Sequence, residues 1–141
     1  MKKLAVILLL ISSNVLSSEI VRNYSDEMIF MDENKELVFA VSFIHNARTT
    51  LEFCNDKYAK NLVNFDMATN NHKMWVSDIE KKMESGISKV VYSELKSKAI
   101  SKAELKLKNK MLPLSSCISL TKKVASGKLP PSIQKSISGN L

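Results

Sequence analysis

The chain has 141 residues, with 21 Lys plus Arg against 14 Asp plus Glu for a formal net charge of +7, and only three Gly, three Pro and two Cys. That length suits one domain and leaves no room for a second, while scarce turn residues and a centre rich in Leu, Lys, Ala, Met and Glu exclude a turn-rich β protein. The positive balance does not point to nucleic acid, because Arg22 and Arg48 are the only arginines and no aromatic residue interleaves the lysine run to stack on bases.

Met1 to Ser17 has the three zones of a bacterial secretory signal peptide: Lys2 and Lys3, eight apolar residues from Leu4 to Ile11, and Val15-Leu16-Ser17 before a cleavage point. Cleavage after Ser17 is expected, which makes 1–17 a leader and 18–141 a single helical domain in the periplasm. The apolar run is well short of the ~20 residues that span a bilayer. No cysteine follows it to accept a lipid, so a soluble mature protein is expected.

The first strong period starts near Asn34, where Leu37, Val41, Ile44, Leu51 and Tyr58 share a stripe with Ala40, Ala47 and Cys54 beside it, the pattern of a helix with one buried face. Asp32 or Asn34 is placed to cap it. Thr69-Asn70-Asn71-His72-Lys73 reads as a loop or helix start, and Met74, Trp75, Ile79 and Met83 as a second helix ending at Ser85-Gly86, since Gly most easily takes the left-handed cap conformation. Ile87 to Leu95 is open between strand, favoured by Val90, Val91 and Tyr92, and helix, favoured by Glu94, Leu95 and Lys96; helix is the preferred reading. Ser101-Lys102-Ala103-Glu104 has the form of a capping box and predicts a new helix start, closed by Pro113. Ser115 or Ser116 caps a last helix through Cys117, Ile118, Leu120 and Val124 that stops at Gly127, and Pro130-Pro131 opens a tail not expected to begin as helix. The sum is an all-α fold, a small four- or five-helix bundle with a short, flexible C-terminal tail.

An exported chain with an even cysteine count pairs its thiols, so Cys54 on the long helix and Cys117 on the last one are expected to form a disulfide. Redox catalysis favours adjacent thiols with a lowered pKa, and neither Cys has a near partner.

Candidate chemistry is sparse. His45 has no second ligand three or four residues away and reads as a surface or hydrogen-bonded histidine; His72 reads as solvated. Asp78, Glu80 and Glu84 are close in sequence, and Asp78 with Lys81 or Lys82 suits ordinary helix-surface pairing better than a catalytic dyad. There is no nucleophile elbow, phosphate-cradling loop or Cys-x-x-Cys-His haem attachment, so no catalytic residue, metal or cofactor is expected, and the methionines read as core filling. Trp75 reads as a core anchor before a binding hot spot, with exposure deciding.

Charge is divided along the chain. Residues 18–85 carry eight basic against twelve acidic side chains, and 86–141 eleven Lys against two Glu. Lys96, Lys98, Lys102, Lys106, Lys108 and Lys110 make the densest run. It is either a solvated face or a docking surface for an acidic partner, whether protein, anionic lipid headgroups or cell-wall polymer. Lys96, Lys98 and Lys102 are the candidate partner-binding residues.

A leader, Cys54 on a long helix, Trp75 some twenty residues later followed by Asp78-Ile79-Glu80-Lys81, and a final helix opening Cys117-Ile118-Ser119-Leu120 resemble the small periplasmic immunity proteins that neutralise type VI secretion amidase effectors. The match spans Thr50 to about Ile133, and Ile100 to Lys110 is richer in lysine than that family's pattern. The resemblance implies a helical bundle, as a dimer, that binds a toxic peptidoglycan-degrading hydrolase and plugs its groove, and it transfers Cys54 and Cys117 as a structural disulfide. A second resemblance, to disulfide-bonded helical pilotins that escort a secretin subunit, implies an escort role, although most pilotins carry a lipid that this chain has no cysteine to accept. Both imply a protein partner held without catalysis.

Overall fold

The long second helix organises the molecule. The computed structural model describes residues 25–138, so the expected leader, 1–17, lies outside the described residues. Six helices follow in order: α1 (25–33), α2 (Lys35–Tyr58), α3 (Phe65–Lys82), α4 (Gly86–Asn109), α5 (Leu114–Ala125) and α6 (Pro131–Ser138), with one 3-10 turn over Ala59–Asn61. The fold is all-α, one helix beyond the expected four or five. No described residue is in a strand, so Ile87 to Leu95 is helix.

The stripe read from the sequence is the buried face of α2: Leu37, Ala40, Val41, Ile44, Ala47, Leu51 and Cys54 all lie in the core. Burial extends further round this helix, to His45 and Thr49, because α2 packs against α3, α4, α5 and α6. α4 packs chiefly on α2, with α3, α5 and α6 on the other side. The chain runs up and down: the Tyr58 hydroxyl donates to Leu112 O at 2.9 Å and Cys54 pairs with Cys117, which brings the C-termini of α2 and α4 and the N-terminus of α5 to one end. α3 returns from that end to the α3–α4 turn, where Gly86 has φ +60, a conformation that costs glycine no Cβ clash.

Five local expectations are corrected. Asn34 does not cap α2; its side-chain amide donates back to Phe30 O at 2.9 Å, closing α1, and Asp32 pairs with Lys35 at 3.2 Å. Residues 69–73 are neither loop nor helix start, because α3 begins at Phe65 after Asn64 in the left-handed region. Its buried stripe is Ala68, His72, Trp75, Ile79 and Met83, and a histidine in that stripe disguises it as polar. The Ser101–Glu104 box starts no helix; α4 runs through it, since the residues from Leu95 to Leu107 are mostly good helix formers and contain no breaker. Neither Ser115 nor Ser116 caps α5, whose first free amides at Ser116 and Cys117 bond to Pro113 O at 3.1 and 3.2 Å. The tail is folded: Pro131 opens α6 with its ring preset for the first helical position, and Leu129, Ile133 and Ile137 enter the core.

Asn71 and Lys82 tie α3 to its neighbours. Asn71 Nδ2 donates to Val124 O and Ala125 O, both at 3.0 Å, and so satisfies terminal carbonyls of α5 that have no partner in their own helix. Lys82 Nζ reaches Ser136 O of α6 at 2.6 Å. No helix among the described residues is long and apolar enough to cross a membrane.

The Cys54–Cys117 bond joins α2 to α5 with Cα atoms 5.5 Å apart and closes a separation of 63 residues. Denatured, unreduced protein is expected to show no titratable thiol. The double substitution Cys54→Ala, Cys117→Ala is expected to lower unfolding free energy by about 4 kcal/mol in a urea titration, from the chain entropy released.

Candidate functional site

Three side chains meet where α2, α3 and α4 approach one another. His45 Nε2 of α2 is 2.8 Å from the Tyr92 hydroxyl of α4, and that hydroxyl is 2.9 Å from Glu80 Oε1 of α3. A carboxylate oxygen accepts and a tyrosine has one proton, so Tyr92 donates to Glu80 and accepts from His45 Nε2–H. The histidine tautomer is thereby set, and its Nδ1 is left buried with no partner.

The order of groups is that of an acid–base relay, and burial favours the neutral form of both His45 and Tyr92. His45 is 0 % exposed, and burial first, then the positive charges of Lys96 and Arg48 and the neighbouring His72, hold it down to about 4. Burial, and then the hydrogen bond to Glu80 and its charge, push the Tyr92 phenol above its ordinary range. The trio ties three helices together. His45 is the hydrogen-bonded histidine that its sequence allowed, and it lies on the buried side of α2.

His72 is a correction. It is not solvated but 5 % exposed, in the buried stripe of α3, with Nε2 2.8 Å from Ile44 O of α2. A carbonyl only accepts, so Nε2 carries the proton, and burial lowers the ring's pKa. Its ring packs edge-on to Trp75, centroids 6.4 Å apart. Trp75 is 9 % exposed, which makes it a core anchor.

The outer side of His72 faces a cleft of about 400 Å³ between α2 and α3. Leu51, Phe65, Val76 and the His72 ring supply its apolar walls, and Arg48, Glu52, Asp56, Lys73 and Glu80 its charged ones, with Asn55, Thr69 and Ser77 between. Arg48 Nε and Glu52 Oε1 pair at 3.0 Å along one wall. An apolar lining with a few convergent polar groups at this volume is the anatomy of a binding site. Sequence reasoning missed this cleft, since its charged members read one by one as helix-surface residues. The signal that could have found it was His72 standing four residues after Ala68 and three before Trp75. Among the described residues no three His, Cys, Asp or Glu side chains gather as a metal site.

The predicted lysines have different surroundings. Lys96 is half-buried, its Nζ 6.0 Å from the centre of the Tyr92 ring, and Lys98 Nζ bonds Glu94 Oε1 at 2.6 Å. Lys102 is exposed and makes no ion pair among the described residues. None of the three lines the cleft.

The fold and site define a class, a disulfide-stapled all-α bundle with a side-chain-sized cleft. No protein-family model, curated protein or solved structure matches the chain.

Two outcomes follow from the buried network. Above pH 6.5 both folded and unfolded chains hold His45 neutral, whereas between 6.5 and about 4 the unfolded chain alone binds the proton. Stability is therefore expected to fall as pH is lowered through that window, by roughly 3 kcal/mol from His45, with His72 adding in the same direction. Urea titrations at a series of pH values measure the slope, and His45→Gln should flatten it. Tyr92→Phe leaves the buried His45 N–H without an acceptor and is expected to cost about 1 to 3 kcal/mol at pH 7 by the same titration.

Proposed function

We propose that this chain is an exported, non-catalytic binding module whose α2–α3 cleft receives a side chain of a protein partner, in the most concrete version a toxic peptidoglycan-degrading effector that it inhibits in the periplasm. The observation that carries the reading is the cleft itself: about 400 Å³, apolar at its floor, charged at its walls, and lying between two helices tied to each other and to α5. Walls tied in this way reduce the ordering that binding would otherwise require. A disulfide in a domain of this size also accords with an oxidising compartment.

The escort role implied by the pilotin resemblance needs a surface that holds a whole helix. A cleft of this volume suits one or two side chains instead, which favours an inhibitor that inserts into, or is anchored by, its target.

Thr69, half-buried on the cleft wall, is the position at which to close it. Thr69→Trp is expected to reduce partner affinity at least tenfold, about 1.4 kcal/mol, with the disulfide still formed and the urea midpoint little changed. Oxidised protein is used to capture partners from periplasmic extract and from co-expression with the product of the neighbouring gene. A stoichiometric complex in which a secreted cell-wall hydrolase loses activity, and which Thr69→Trp weakens, supports the reading. A secretin fragment moves it to the escort role, and binding indifferent to Thr69→Trp removes the cleft from it.

A further inference from the structure

The end of the bundle where α2 and α4 finish combines two features that neither the core nor the cleft uses. The first is positive charge. Lys102, Lys106, Lys108 and Lys110 are exposed and make no ion pair among the described residues, and the Tyr58–Leu112 bond brings Lys57 and Lys60 to the same end. Further up α4 the charge is offset, because Glu94 bonds Lys98 and Glu27 of α1 lies against both. The acids at this end are fewer: Asp56 lines the α2–α3 cleft, Asp66 stands in the first turn of α3 beside the first linker, and Glu104 is the one acid within the lysine run of α4.

The second is exposed apolar surface. The two linkers at this end carry Val63, 71 % exposed, and Met111, 78 % exposed, the highest values among the large exposed hydrophobic residues described. On α4, Leu105 is 61 % exposed, and a groove of about 490 Å³ between α2 and α4 is walled by Ala103, Leu105, Leu107 and Leu112 with Lys106 and Lys110 among its lining residues.

We infer that this end docks on an anionic phospholipid surface, with Lys106, Lys108, Lys110, Lys57 and Lys60 against the headgroup phosphates and Met111 and Val63 entering the interface. Lysines near the last turn of α4 also complement its helix dipole, but that role asks for one or two charges and explains no exposed Met or Val. Exposed Met111 and Val63 beside the lysines favour lipid over protein, and the lysines suit it. An ammonium is a point charge on a flexible stem, suited to a laterally mobile array of phosphates, whereas recognition of carboxylates on a folded partner favours the planar, bidentate guanidinium. Apolar tips ringed by lysines are the arrangement that lies in a bilayer interface without crossing it. The inference does not rest on the cleft or on the partner proposed for it.

The test is co-sedimentation of the oxidised protein with vesicles of phosphatidylcholine alone and with about one-third phosphatidylglycerol, at about 0.1 M and about 0.5 M salt. Binding is expected on the anionic vesicles only and is expected to be lost at the higher salt. Each lysine contributes about fivefold to partitioning, so the triple variant Lys106→Gln, Lys108→Gln, Lys110→Gln should bind about 100-fold more weakly with an unchanged urea midpoint. In Met111→Trp the added indole should shift its emission to the blue on anionic vesicles, against the constant background of buried Trp75. Equal binding to neutral vesicles, indifference to the triple variant, or an unshifted Met111→Trp spectrum on sedimenting protein overturns the assignment. Binding to soluble polyglutamate as tight as to vesicles, with no spectral shift, also overturns it and gives the surface to an acidic protein.

Discussion

The hydroxyl of Tyr92 holds the two sides of this bundle together. α4 packs chiefly on α2, with Val91, Tyr92, Ala99 and Ala103 as its buried residues and Ile87 and Leu95 partly buried against the core. Small side chains let the two helices approach closely, but they bury less apolar area than leucines would, so specificity of register falls to the polar contact. By accepting from His45 and donating to Glu80, the phenol ties α4 to α2 and to α3 in one step. A satisfied polar bridge in a small core fixes which residues face one another, because sliding the helix would strand a donor away from water. His45 Nδ1 remains without a partner, and in a low-dielectric site that orphan lone pair is a standing cost that the surrounding packing offsets.

The other side of α2 is held differently. There Cys54–Cys117 fixes α5, Asn71 closes the end of α5, His72 reaches the backbone of α2 and Lys82 reaches α6. Of these ties the His72 bond stands at the α2–α3 cleft itself, whose wall the His72 ring forms, and it fixes α3 against α2 there. Charge follows the same division. The cleft mixes signs, with Arg48 already engaged by Glu52, whereas Lys102, Lys106, Lys108 and Lys110 at the far end of α4 make no ion pair among the described residues. The first surface suits a shaped contact and the second a diffuse anionic one.

The local grammar of the sequence was informative where one rule acted alone. The stripe from Leu37 to Cys54 is the core face of α2, and Gly86 and Gly127 take the positive φ of helix boundaries. It misled where a local signal competed with a longer-range one. Ser101 and Glu104 have the spacing of a cap, yet a cap operates only where the chain stops being helical, and nothing between Leu95 and Leu107 stops it. Asn34 has the chemistry to cap forward or backward and caps backward. Read as polar, His72 cuts the start of α3 out of its own apolar stripe; Ile44 O, 28 residues away in sequence, makes that histidine a core residue.

By itself the sequence determined the helical class, the long central helix and the eligibility of two cysteines to pair, because helix periodicity and thiol count are properties of the chain alone. Tertiary structure decided which lysines are occupied and which are open, which histidines are buried, and that residues of α2 and α3 far apart in the chain share one cleft. The reason is that burial and hydrogen-bond pairing depend on what lies across an interface. Lys96 over Tyr92, Lys98 on Glu94 and Lys102 in water are the same residue type in one short run, told apart only by their neighbours.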